Sequence, residues 1–305
     1  MNTAARPTLL VLLGPTGVGK TALSLRLAER LHSPILSADS RQIYRDMPIG
    51  TAAPTADERA RATHYFVGTL PLTEPYSAAR YEADALALLD QLFPTHSTLL
   101  LTGGSMMYID AVCQGIDDIP TIPADIRAAV VADYERLGLA ALLDELREAD
   151  PIHYAEVDQR NPRRVIHAVE VCRTAGRPYS DFRTRTPKQR PFRILKIGLL
   201  RPRDELFRRI DARVDQMMAD GLLHEARALY LWRHLNALNT VGYKELFQHL
   251  DGHLTLDEAV ARIKRNTRVY ARKQLTWFRR DPSITWFHAD DTGPLFRFLS
   301  EEEIF

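Results

Sequence analysis

Gly14-Pro15-Thr16-Gly17-Val18-Gly19-Lys20-Thr21 has the spacing G-x-x-x-x-G-K-[ST]. Glycines at those positions let successive backbone N–H groups turn toward an anion. The lysine reaches terminal phosphates, and the threonine hydroxyl suits a Mg²⁺ ion. An apolar run, Leu9 to Leu13, precedes the loop, and a pattern with Leu23, Leu27 and Leu31 on one helical face follows it. Strand, glycine loop and helix in that order place the positive end of a helix dipole at the anion, which a chance glycine-rich turn does not. A phosphate-bearing ligand is therefore expected on Gly14–Thr21, with Thr21 on the metal.

Three further groups of residues carry charge suited to such a ligand. Asp39 closes the apolar stretch Pro34–Ser40, where ligands collect beyond the carboxyl ends of parallel strands. A carboxylate there holds Mg²⁺ through water, acts as a general base, or merely caps a helix or turn. Arg201-Pro202-Arg203 follows the strand-like Arg193–Leu200, and an arginine at that strand end can make bidentate phosphate contacts. On the helix that Arg203 opens, Arg208, Arg209 and Arg213 alternate with acids and read as ion pairs on a solvated face. The third group is Arg262, Lys264, Arg265, Arg268, Arg272, Lys273, Arg279 and Arg280, uninterrupted by an acid. Backed by Ile263, Tyr270 and Trp277 turned toward the body of the protein, it reads either as a track for a phosphate backbone or as a solvated basic face. Arg160, Arg163 and Arg164 form a second basic patch, which favours an extended polyanion.

The elements needed to position these groups are those of an α/β protein, a doubly wound parallel sheet of the P-loop type. Strands are expected at 9–13, 34–40, 64–70, 98–102, 193–200 and 284–288, and helices over 77–93, 203–218, 222–232 and 256–280. The run Thr98–Thr102 ends in Gly103-Gly104-Ser105 rather than in the carboxylate with which many nucleotide hydrolases hold Mg²⁺. From 116 to 190 no buried strand is legible. Helices at 123–133, 139–149 and 162–173 make this a small all-helical insertion, so the core domain spans 1–115 plus 191–305 and the insertion 116–190. The chain has 305 residues, 45% hydrophobic and 26% charged, with a net charge of +1, so any nucleic acid must be held by a local patch. Cys113 and Cys172 give neither a disulfide framework nor a zinc spacing. No signal peptide or membrane span is expected, and the protein reads as cytoplasmic and monomeric.

Taken together the motifs resemble the bacterial tRNA dimethylallyltransferase (tRNA isopentenyltransferase, or IPP transferase) family. The matching words are GPTGVGKT at Gly14–Thr21, SADSRQIYRDMPIGTAAP at Ser37–Pro54 and LTGGSMMY at Leu101–Tyr108. They continue with NPRRVIHAVEV at Asn161–Val171, VGYKE at Val241–Glu245 and NTRVYARKQLTWFRR at Asn266–Arg280. Ser105 stands where the family often has threonine, and Arg41-Gln42 where it often has an apolar pair.

The resemblance implies transfer of a dimethylallyl group from dimethylallyl diphosphate to N6 of the adenosine 3′-adjacent to the anticodon, position 37. The acceptors are tRNAs reading codons that begin with U, and the partner is the anticodon stem-loop. It implies Asp39 as the base that takes the N6 proton, Thr16 near the allylic substrate, and Lys20, Mg²⁺ at Thr21 and Arg203 on the diphosphate. It places Ser40, Arg41 and Gln42 in the base pocket, Gly104, Ser105 and Arg127 at the channel to it, and Arg163, Arg164 and His167 on the RNA. Gly242, Lys244, Arg268, Arg272 and Lys273 complete the RNA contacts. Two other readings keep the phosphate loop: a P-loop kinase of a small metabolite, and a nucleotide-gated RNA-binding protein without catalysis. Whether ATP also binds the loop is left open.

Overall fold

The computed structural model describes residues 6–184 and 186–305. Its centre is a six-stranded sheet: β1 Thr8–Leu13, β2 Ile35–Ala38, β3 His64–Tyr65, β4 Thr98–Gly103, β5 Arg193–Leu200 and β6 Ile284–His288. The order is β3-β2-β4-β1-β5-β6, and every pair is parallel. In β1, Leu9 to Leu13 are each 0% exposed, because helices cover both faces of a parallel sheet. Leu9, Val11 and Leu13 pack on one side with Tyr108, Ile109 and Phe278. Leu10 and Leu12 pack on the other with Leu27, Leu206 and Ile210. Each buried leucine contributes roughly 2 kcal/mol, so β1 anchors the loop that leaves its carboxyl end.

β1 lies between β4 and β5, both later in the chain. The chain runs from β1 out to β2 on one side and later from β4 across to β5 on the other, and a crevice opens at the carboxyl ends of β1 and β4, where ligands of open α/β sheets bind. The phosphate loop fills that crevice.

The described residues form two compact units, one running to Gln114 and resuming at Gln189–Phe305, the other Gly115–Lys188. The smaller is all helical: Ala124–Ala149, Pro151–Glu156, Pro162–Ala175 and a 3₁₀ turn at Tyr179–Phe182. Val130, Leu142, Leu146, Val165 and Val169 form its core. The helices expected at 123–133 and 139–149 are both present, end to end within Ala124–Ala149 and separated by a kink at Gly138, whose φ of 80° and ψ of 178° are not helical.

Other expectations are corrected. The strand expected over 64–70 stops after Tyr65, because Phe66 and Gly68 take φ of 62° and 64° and bend the chain away from β2. Helices at Met106–Gln114, Tyr243–Leu250 and Thr292–Glu301 lay in stretches read as loop or left unassigned. Among the described residues no helix is long and apolar enough to cross a membrane.

Candidate active site

A cavity of about 620 Å³ opens in the larger unit, bounded by the phosphate loop, the ends of β2 and β4, and two later helices, Arg203–Ala219 and Leu256–Phe278. The loop residues Thr16, Gly17, Gly19, Lys20 and Thr21 line it. Gly17 has φ of 80°, and a Cβ there would stand 2.9 Å from Ile210 Cγ1, so both conformation and space demand glycine. The helix Lys20–Leu31 starts with no side-chain cap and no acid in its first turn, which leaves its N-terminal N–H groups for an anion.

The Lys20 ammonium donates to the carbonyls of Gly14 and Pro15, each at 2.9 Å. Burial, and then the nearby charge of Arg213, push its pKa down to about 7, against the pull of Asp39. Arg209 donates through Nε to Gly17 O at 3.0 Å. Arg213, one helical turn on, lines the same wall, and burial lowers its pKa against the opposing pull of Asp39. Three cations thus surround space suited to an anion.

These are not the arginines that the strand-end argument selects. Arg203 is exposed, lies over the Phe207 ring at 5.2 Å, and takes no part in the cavity wall. It lies six positions before Arg209, which turns it to another face of the helix. Arg201 donates through Nε to Val18 O at 2.7 Å and pairs with Glu205 and Asp290, so it buttresses the loop from behind. Arg209 and Arg213, read as a solvated face, are the ones the fold delivers.

Asp39 leaves β2 at the opposite wall. Its Oδ1 accepts the N–H groups of Arg41 at 2.9 Å and Gln42 at 3.2 Å, a local turn that fixes the carboxylate. Its Oδ2 has no hydrogen-bond partner among the described residues, so one oxygen is held and the other is available. The Tyr270 hydroxyl is pushed up to about 12 by burial and by the charge of Asp39. Tyr270 lines the cavity instead of turning into the core as expected.

Several anticipated contacts are already spent within the protein. Ser40 N–H donates to Ser105 Oγ at 2.8 Å, and that hydroxyl donates to Ser40 Oγ at 3.2 Å. Gln42 accepts from Ser37 Oγ at 3.1 Å and donates to the carbonyls of Thr51 and Ala52 at 3.2 and 3.0 Å. It ties the IGTA segment to β2. Among the described residues, Arg41 is the member of that trio whose side chain makes no such bond. Gly242 is buried, and its N–H donates to Glu245 at 2.8 Å, so it starts a helix and presents no free donor. Lys244 is exposed. Arg268 is taken by Asp211 at 2.5 Å, whereas Arg272 and Lys273 are exposed and unpaired among the described residues. Within the smaller unit, Arg127 and His167 both face the buried Glu170, at 3.4 and 3.6 Å, and Arg163 and Arg164 are exposed.

Gln274 is a cavity residue that the sequence did not single out. It is 2% exposed, accepts the Thr16 N–H at 2.9 Å, and donates to Gly104 O at 2.7 Å. Among the described residues no cluster of three His, Cys, Asp or Glu side chains could hold a metal. The oxygens of Thr21 and Asp39 in the cavity fit Mg²⁺, which keeps several waters and takes its remaining ligands from phosphate.

The IPP transferase family model matches residues 42–281. The chain is 63% identical to tRNA dimethylallyltransferase 2 of Parabacteroides distasonis, covering 97% of this chain and 99% of that one. It is 59% identical to tRNA dimethylallyltransferase 1 of Phocaeicola vulgatus, covering 96% and 97%. A crystal structure of the tRNA isopentenylpyrophosphate transferase of Bacillus halodurans superposes with a TM-score of 0.71 at 35% identity, covering 98% and 96%. A eukaryotic dimethylallyltransferase solved acting on tRNA shares the fold with a TM-score of 0.82 at 24% identity, covering 98% of this chain and 78% of that one.

Proposed function

This chain belongs to the IPP transferase family, and from that membership we infer that it transfers a dimethylallyl group to tRNA. The donor is dimethylallyl diphosphate and the acceptor is N6 of the adenosine at position 37, beside the anticodon. One observation carries the donor half: Asp39 and the cationic phosphate loop share a cavity whose third strand end, Thr102-Gly103-Gly104, has no carboxylate. A kinase that holds Mg²⁺ with an acid at the end of β4 lacks that acid here, and has no use for the unpaired cations of the long helix.

The loop N–H groups, Lys20, Arg209 and Arg213 bind the diphosphate. As the allylic C–O bond breaks, charge grows on the leaving diphosphate, and these fixed donors stabilise it more than they stabilise the ground state. Thr21 and Asp39 would hold Mg²⁺, which would supply further neutralisation of the diphosphate. The exocyclic amine forms the new C–N bond and becomes cationic. Asp39, with Oδ1 pinned and Oδ2 open, takes the N6 proton. Thr16, tethered through its N–H by Gln274, sits at the donor end.

Incubating the protein with unmodified tRNA, dimethylallyl diphosphate and Mg²⁺, then weighing the digested nucleosides, tests this. A gain of one dimethylallyl group on a single adenosine is expected. No gain, with ATP turnover stimulated by a small alcohol instead, would hand the chain to the kinase reading.

A further inference from the structure

The helix Leu256–Phe278 carries two kinds of cation. Lys264 and Arg268 are neutralised by Asp215 at 2.6 Å and Asp211 at 2.5 Å. Arg272 and Lys273 are exposed and have no ion pair among the described residues. With Arg280 they border a surface groove of about 570 Å³ over Met106, Val269 and Trp277. Trp277 is locked there by an indole N–H bond of 2.7 Å to Asp110.

The next residue along, Gln274, points the other way. Its carboxamide is a two-ended clamp, accepting from the Thr16 N–H and donating to the Gly104 carbonyl. Those two backbone groups belong to the two glycine loops that flank the donor cavity. A Cβ at Gly104 would stand 2.5 Å from Gln274 Nε2 and displace the amide from this bond. A planar amide joins one acceptor and one donor. Glutamate offers the Gly104 carbonyl no donor, and leucine leaves the part-buried Thr16 N–H and the Gly104 C=O without this partner.

We propose that Gln274 is a positioning residue that fixes the spacing of the two donor loops and couples them to RNA. When RNA phosphates seat on Arg272 and Lys273 they immobilise the helical turn that also holds Gln274. Thr16 and Gly104 then lose less freedom when the diphosphate arrives. Because the coupling is thermodynamic, it is reciprocal: the diphosphate tightens RNA binding by the same factor. The proposal rests on the tRNA prenylation reading.

Calorimetry on the full-length protein tests it, with inorganic diphosphate and Mg²⁺ titrated in the absence and presence of an unmodified anticodon stem-loop. In the wild type, saturating RNA is expected to tighten the diphosphate about tenfold, within the usual range for coupled sites. In Gln274→Leu that factor falls to about one. There kcat drops about a hundredfold, the scale of an ångström-sized misplacement, while the affinity for tRNA in the absence of donor stays within about threefold. Gln274→Glu keeps the size and the Thr16 acceptor, and is expected to lose most of the coupling too. Equal diphosphate affinity with and without RNA in the wild type overturns the proposal, whether or not any variant folds. So does an unchanged factor in a folded Gln274 variant. A wild type that prenylates tRNA yet shows no coupling removes only this role of Gln274, whereas one that adds no mass to tRNA removes the functional reading itself.

Discussion

Lys20 and Arg213 face one cavity from opposite sides of the chain's length, and the arginine's charge helps burial push the lysine down to about 7. Without an anion between them, the two cations repel. Bound diphosphate reverses that repulsion and raises the pKa of Lys20. Above pH 7, where free Lys20 is largely neutral, diphosphate binding therefore takes up a proton. Calorimetry at pH 8 in buffers of different ionisation enthalpy should show uptake approaching one proton. Affinity should fall as pH rises from 7, by at most about tenfold per unit for a single linked proton. Lys20→Met should abolish the uptake, and pH-independent affinity in the wild type would contradict the assignment.

Exchanging which arginine is truncated separates the helix face from the strand end. Arg213→Ala removes a fixed positive charge from the cavity wall and is expected to lower kcat/KM about 10²- to 10³-fold, the usual cost of losing one such donor. Arg203→Ala, at an exposed residue stacked on Phe207, should leave kcat/KM within about twofold. Steady-state kinetics on tRNA read both. The reverse ranking would restore Arg203 to the site.

Asp39→Asn keeps the size of the side chain and can keep the acceptor for the Arg41 and Gln42 N–H groups, but it cannot take a proton. Turnover should fall about 10²- to 10⁴-fold, the range for a lost general base. Filter binding of tRNA should change little. Near-normal turnover would remove Asp39 from the chemistry.

Salt titration distinguishes the two kinds of cation on the long helix. Neutralising Arg272 or Lys273 should each reduce the slope of log affinity for tRNA against log salt by about one. Arg268→Ala should leave that slope nearly unchanged, because Arg268 is already neutralised by Asp211. Equal slopes for all three variants would erase the distinction.

How much of this was legible beforehand depended on sequence separation. The phosphate loop is a local signal: spacing, a strand before and a helix after, all within a short stretch. Asp39 was legible for a similar reason, as the polar end of a short apolar run. Arg209 and Arg213 were not, because only the packing of Gly17 on Ile210 sets which face of the Arg203–Ala219 helix meets the loop. Gln274 and Tyr270 were missed because a helix pattern marks apolar residues as core and offers no mark for a polar or aromatic side chain turned into a cavity. Gln42, which lines the cavity, Ser105 and Gly242 also carry bonds that no sequence word discloses. They fall within family-specific words, yet their polar groups hold the backbone together.

β1 has its two edges filled by β4 and by β5, and β5 begins at Arg193. The glycine loop is translated near the start of the chain, but its cavity needs Arg209, Arg213 and Gln274 from the last third. A nascent chain halted before residue 193 exposes one bare edge of its most apolar strand, open to pairing with a neighbouring chain. Donor binding therefore cannot assist the folding of a chain halted there, and that edge stays bare until β5 emerges to pair with it.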